Sequence, residues 1–102
     1  HGDDTALHII ATLNGQAVAT ARLTETGSIG RMAVLKPYRQ QNIGSAMLQT
    51  LIKTAKQRGL KRLTLNAQLH AQPFYNKHNF VKQGSVFMDA GMPHIEMQLT
   101  LT

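Results

Sequence analysis

Residues 30–47 read Gly30-Arg31-Met32-Ala33-Val34-Leu35-Lys36-Pro37-Tyr38-Arg39-Gln40-Gln41-Asn42-Ile43-Gly44-Ser45-Ala46-Met47. The stretch opens on a β-rich segment that Pro37 must end, because proline cannot donate to a ladder. It closes on a helix. Met47, Leu48, Leu51, Ile52 and Ala55 recur at steps of three and four, so Asn42 to Arg58 is expected to be helical with one apolar face. Lys53, Lys56 and Arg58 gather at the C-terminal end, where the helix dipole favours cations, and Gly59 supplies a left-handed cap. At the start of such a helix several backbone N–H groups lack an internal partner and together carry partial positive charge, which suits a pyrophosphate. Gly44 lets the backbone approach a ligand closely, and Arg39 can add a charge-assisted contact. The same residues also make an ordinary strand-to-helix turn, and physics alone leaves both readings open. Neither the Gly-Lys-Ser/Thr phosphate loop nor the dinucleotide G-x-G-x-x-G pattern occurs.

On the N-terminal side, Leu7 to Leu13 is β-rich and ends at Asn14-Gly15, a hairpin signal because both residues tolerate positive φ. Val18, Thr20, Ala21 and Leu23 continue as the returning strand, Thr26-Gly27-Ser28 makes the next turn, and Ile29 to Leu35 forms a third strand. On the C-terminal side, Leu60, Leu63 and Leu65 mark a fourth strand. Strand, helix and strand then form a βαβ unit, normally right-handed and parallel. Pro73 suits the first turn of a short helix ending near His78. Phe80 to Met88 and His94 to Leu101 read as closing strands around a loop holding Asp89, Gly91 and Pro93. The order predicts a mixed α/β (α+β) sheet, and residues 1–102 read as a single domain without repeat or linker.

Composition narrows the function. Cysteine is absent, which excludes disulfides, thiolate nucleophiles and thiolate metal sites and fits a cytoplasmic location. No run is long enough to cross a bilayer. His8, His70 and His78 show no metal-ligand spacing, so no metal is expected. Eleven Lys and Arg against five Asp and Glu give a formal charge of +6, attractive to polyanions in general. Nucleic acid is not the expected partner. Two Tyr, three Phe and no Trp do not interleave with the basic residues as a stacking platform would.

The segment Met32-Ala33-Val34, Pro37-Tyr38-Arg39 and Arg39-Gln40-Gln41-Asn42-Ile43-Gly44 resembles motif A of the GNAT (GCN5-related N-acetyltransferase) superfamily, in which an apolar-Ala-Val strand precedes Arg/Gln-x-x-Gly-x-Gly/Ala. The family's first glycine is Asn42 here, and asparagine is the side chain best able to take its left-handed backbone. Leu65-Asn66-Ala67-Gln68 and Ala71-Gln72-Pro73-Phe74-Tyr75-Asn76-Lys77-His78-Asn79-Phe80 resemble motif B, with Asn79 in place of a second glycine. Gly84 and residues 87–97 are similar to a subgroup of small bacterial GNAT proteins.

That resemblance implies acetyl-coenzyme A as co-substrate and an amine as acceptor, with direct attack in a ternary complex. It implies a mostly antiparallel GNAT-type sheet with a central parallel βαβ unit. It assigns Met32, Ala33 and Val34 to the pantetheine arm, and Arg39, Gln40, Asn42, Ile43, Gly44 and Ser45 to the pyrophosphate. Asn66, with Gln68 close by, falls near the pantetheine, and Phe74 and Lys77 near the cofactor's far end. Tyr75 matches the tyrosine that protonates the departing thiolate, a general-acid role; the alternative is an aromatic anchor for the short helix. His94, flanking a Gly-Met-Pro loop with Asp89, is a candidate base, as are Glu96 and Glu25; a capped turn and a strand-start histidine explain the same residues. Family members carry a strand and helices before the hairpin, so this chain reads as N-terminally shortened. Its exposed hairpin face then suits a homodimer. A coenzyme A-binding module without turnover is the alternative function.

Overall fold

The computed structural model of the protein describes residues 7–39 and 42–101, the Arg31 side chain excepted. Strands β1 (Leu7–Leu13) and β2 (Gln16–Leu23) meet at Asn14-Gly15, whose φ angles of 53° and 82° are those of the expected tight hairpin. Strand β3 (Ile29–Val34) runs into a 3-10 turn at Lys36–Tyr38, then helix α1 (Ile43–Gln57) and strand β4 (Arg62–Gln68). A 3-10 turn at Leu69–Ala71 leads to helix α2 (Gln72–Lys77), and strands β5 (Val81–Asp89) and β6 (Met92–Thr100) close the chain.

The sheet is split. Strands in the order β1-β2-β3 form one antiparallel sheet and β4-β6-β5 another. The parallel pairing expected between β3 and β4 is reduced to one bridge, Ser28 with Thr64, where the Thr64 N–H donates to the Gly27 carbonyl at 2.9 Å. Beyond it the strands part. Arg31 and Met32 together stand opposite Ala21 alone, because Gly30 pairs with Arg22 and Ala33 with Thr20. This bulge bends β3 away from the line of β4. Gly27 explains why the joined end is so tight. Its φ is +96°, and a Cβ there would lie 2.5 Å from the Arg62 carbonyl oxygen.

One apolar cluster holds both sheets. Met47, Leu48, Leu51 and Ala55 of α1 are buried with Ala19, Ala21, Leu23 and Ile29 from the first sheet and Leu63, Leu65, Ala67, Ile95 and Met97 from the second. Leu48 and Leu51 are fully buried, and truncating either to alanine would cost about 2–5 kcal/mol. This packing fixes α1 across the divide, so its first turn stands where the strands separate.

The closing strands differ from expectation. Asp89 to Pro93 is not an open loop: Ala90 and Gly91 make a two-residue turn at φ 53° and 74°, and Met92 and Pro93 belong to β6. Pro93 is tolerated because β4 pairing stops at His94, leaving β5 alone beside it. Phe80 lies just outside β5, fully buried.

Candidate cofactor site

Where β3 and β4 part they leave a groove of about 1100 Å³. Met32, Ala33 and Val34 line one wall and Asn66, Ala67 and Gln68 the other. Past the single bridge, β3 is paired only to β2, so its edge toward β4 carries backbone donors and acceptors not used by a ladder.

The mouth of the groove is the start of α1. Asn42 has φ 62° and ψ 14°, the left-handed conformation its residue type allows, and makes no side-chain cap. Asn79 does the same at φ 72°. The first helical hydrogen bond runs from the Ala46 N–H to the Asn42 carbonyl at 3.0 Å, so the amides of Ile43, Gly44 and Ser45 precede any helical acceptor. Asn42, Gly44 and Ser45 line the groove, whereas the Ile43 side chain packs against the core. A methyl group on Gly44 would sit 3.6 Å from Phe74 Cζ, an ordinary contact. Packing alone therefore does not require glycine there. Arg39 Nε donates to the Val34 carbonyl at 3.0 Å, bracing the loop against the strand it leaves. Its Nη groups lie outside that bond. Gln40, assigned above to the pyrophosphate, lies outside the described residues.

Helix α2 forms the far side. Phe74, Tyr75 and Lys77 line the groove. The Tyr75 ring is gripped edge-on by Phe74 at 5.0 Å and by Phe80 at 5.9 Å. Burial pushes its phenol above the ordinary value of 10.0, because an anion there would lose hydration. The phenol therefore keeps its proton at neutral pH. His94 also lines the groove, stacked on Phe87, with Nδ1 2.8 Å from the Met92 carbonyl. A carbonyl only accepts, so Nδ1 carries the proton in that bond and the neutral ring presents its lone pair at Nε2. Asp89 does not join it. It pairs with Met92 at the hairpin turn and is not among the residues lining the groove.

Among the described residues, the charged side chains lining the groove are Arg39 and Lys77 and none is a carboxylate, a balance that suits a polyanion. A second hollow of about 520 Å³ adjoins it, sharing Ile29, Leu65 and Asn66 and adding Ser28, Gly30, Thr64 and Glu96. Two neighbours were not singled out by sequence. His70 lines the groove, and His78 bonds Ser45 from behind, with Nε2 3.0 Å from Oγ. The faint signal for the latter is His78 four residues after Phe74, one helical turn on.

Residues 2–101 match the acetyltransferase (GNAT) domain family. The chain is 40% identical over 72 residues to YjcF, an uncharacterized N-acetyltransferase of Bacillus subtilis, covering 70% of this chain and 51% of that protein. It is 30% identical over 106 residues to ElaA of Escherichia coli, covering 94% and 69%. The ElaA crystal structure superposes with a TM-score of 0.83 at 29% identity, over 91% of this chain and 67% of that one. A GNAT family acetyltransferase from Elizabethkingia anophelis, solved with acetyl-CoA bound, shares the fold at 16% identity and a TM-score of 0.82, over 98% and 79%. The chain thus spans about half the length of YjcF and about two thirds of ElaA. With a family match across nearly all of its residues, the chain belongs to the GNAT acetyltransferase family.

Proposed function

We propose that this chain binds acetyl-coenzyme A in the groove between β3 and β4 and transfers the acetyl group to a primary amine. The observation that carries the reading is the left-handed Asn42 beside the groove, after which the amides of Ile43, Gly44 and Ser45 have no helical acceptor. The pyrophosphate would take those amides, with Arg39 and Ser45 adding side-chain contacts. The amides of the pantetheine arm would pair with the free edge of β3 at Met32, Ala33 and Val34. Asn66 would face the arm from β4, and Phe74 and Lys77 would flank the cofactor on α2.

The amine reaches the thioester from the adjoining hollow, where Glu96 is the carboxylate among the described lining residues. It arrives protonated and must lose that proton to become nucleophilic, and His94 Nε2 can accept it. Nitrogen then attacks the carbonyl carbon; as the carbon–sulfur bond breaks, the nitrogen gives its second proton to solvent and becomes the amide. Tyr75 donates its phenol proton to the leaving thiolate, and a solvent proton later restores the phenol. Residues 1–102 act in this scheme as one cofactor-binding domain, supported by the single apolar cluster spanning both sheets. A cysteine-free chain suits the reducing cytoplasm. Ile10 and Leu13, 60% and 42% exposed on β1, are apolar surface for pairing with a second copy. Light scattering at micromolar concentration should give the mass of a dimer, and a monomer would remove that part.

Calorimetric titration of acetyl-coenzyme A into the 102-residue chain tests the central claim. Saturable one-to-one binding is expected, followed by turnover with members of an amine panel. Binding without turnover across the panel would support the cofactor-binding module instead, and no binding would overturn the site.

A further inference from the structure

Glu96 stands two residues beyond His94 on β6, so both side chains leave the same face of the strand, with Cα atoms about 7 Å apart at the usual strand rise. The two residues border different spaces. His94 lines the groove, and Glu96 lines the adjoining hollow of about 520 Å³. Asn66, directly opposite Glu96 on β4, lines both and marks where they join. Glu96 is exposed, so its carboxylate is open to a ligand entering the hollow.

The two spaces differ in charge. Among the described lining residues, the groove presents the cations Arg39 and Lys77, and the hollow presents the anion Glu96. An acceptor with an ammonium at each end is therefore turned one way. Its far end is drawn to Glu96 and kept from the cations of the groove, while its near end reaches His94. His94 suits that end, because its Nδ1 is held by the Met92 carbonyl and Nε2 is left for the amine. An exposed ion pair alone adds little in water. Here the Asn66 amide oxygen stands across from the carboxylate, so one ammonium can donate to both. The spacing sets the length of the acceptor. A span of about 7 Å is bridged by about five single bonds in an extended chain, which is two nitrogens separated by about four carbons.

We propose, resting on the transfer reading above, that Glu96 is a specificity-determining residue and that the acceptor is a linear diamine, held at its far ammonium by Glu96 and Asn66 while its near amine gives a proton to His94. Acetyl transfer takes place at the near nitrogen with the proton movements already given. The far ammonium keeps its proton throughout, and the product is the monoacetylated diamine. Glu96 thus holds the end of the substrate that does not react.

The test is steady-state release of coenzyme A by the 102-residue chain and its Glu96→Gln variant, at fixed ionic strength. Three acceptors are compared: 1,4-diaminobutane, 4-amino-1-butanol, which replaces the far ammonium with a hydroxyl, and 1,2-diaminoethane, which is too short to span the two residues. The quantity read is the kcat/KM ratio of 1,4-diaminobutane to the amino alcohol. Comparing that ratio between wild type and variant cancels the intrinsic reactivities of the two amines. Glu96→Gln should lower it about tenfold, chiefly by raising KM for the diamine. The corresponding ratio for 1,2-diaminoethane should stay unchanged. An equal loss on all three acceptors would place Glu96 in the reaction itself and overturn the specificity role. An unchanged ratio would overturn it as well. Turnover of other amines but none of these three would overturn the diamine assignment and leave the transfer reading standing. Absence of turnover with every amine would overturn the transfer reading, and this inference with it.

Discussion

At Gly27 and Ser28 the two strands that border the groove are locked together, and by Val34 and Gln68 they have separated. At the locked end the backbone spends its hydrogen bonds across the divide, from Thr64 to Gly27, with no room for a methyl group. At the parted end it spends them on its own side. Leu35 N–H donates to the Val18 carbonyl at 2.8 Å, and the Val34 carbonyl is taken by Arg39. The difference between the ends lies in one extra residue in β3 and in which partners its backbone finds. An open groove arises here from withheld strand pairing, beside a joint that holds the two strands together at their other end.

Three substitutions put pressure on that contrast. The largest effect is expected at the parted end. Tyr75→Phe should lower turnover roughly a hundred- to ten-thousandfold while coenzyme A affinity stays within about twofold. Steady-state kinetics beside calorimetry would show it, and unchanged turnover would move the general acid elsewhere. At the locked end, Gly27→Ala should destabilise the fold by about 2–4 kcal/mol in denaturant titration, through left-handed strain and the clash with the Arg62 carbonyl. A loss under about 0.5 kcal/mol would mean that the joint relaxes freely, and the division of labour between the ends would fail. Smallest is Arg39→Ala, which should weaken coenzyme A binding by about 1.5–3 kcal/mol. Undiminished affinity would confine Arg39 to bracing Val34.

Much of this was legible in the chain. Asn14-Gly15 announced its hairpin, the apolar spacing of Met47, Leu48, Leu51 and Ala55 announced α1, and Asn42 was readable as a left-handed residue because few other side chains tolerate that conformation. The missing parts were tertiary or rare. A bulge at Arg31 and Met32 leaves no mark in residue type, since either side chain suits a regular strand, so the split of the sheet stayed hidden. Ala90-Gly91 escaped as a tight turn because alanine seldom adopts positive φ. Ser45 and His78 are 33 residues apart, and only the packing of α2 against the start of α1 brings them together. The role proposed for Tyr75 came from family likeness, that of Arg39 from likeness and its place before the helix, and that of His94 from its residue type beside the Gly-Met-Pro loop; the fold adds a brace at Arg39, burial at Tyr75 and an Nδ1 partner at His94.

Strand β5 carries a lesson for how the molecule behaves in crowded solution. Gln83 pairs with Glu96 and Phe87 with His94, so residues 84–86 stand opposite Ile95 alone, and Gly84 turns left-handed at φ 74°. β5 is also the outer edge of its sheet, with Val86 and Met88 51% and 66% exposed. A straight edge of that composition would invite foreign strands to dock and propagate into aggregates. Here an incoming strand can match amide to carbonyl on one side of the kink only, and the mismatch on the other side ends the growth of the ribbon. The irregular edge thus works as a terminator, keeping a sticky border from becoming a template.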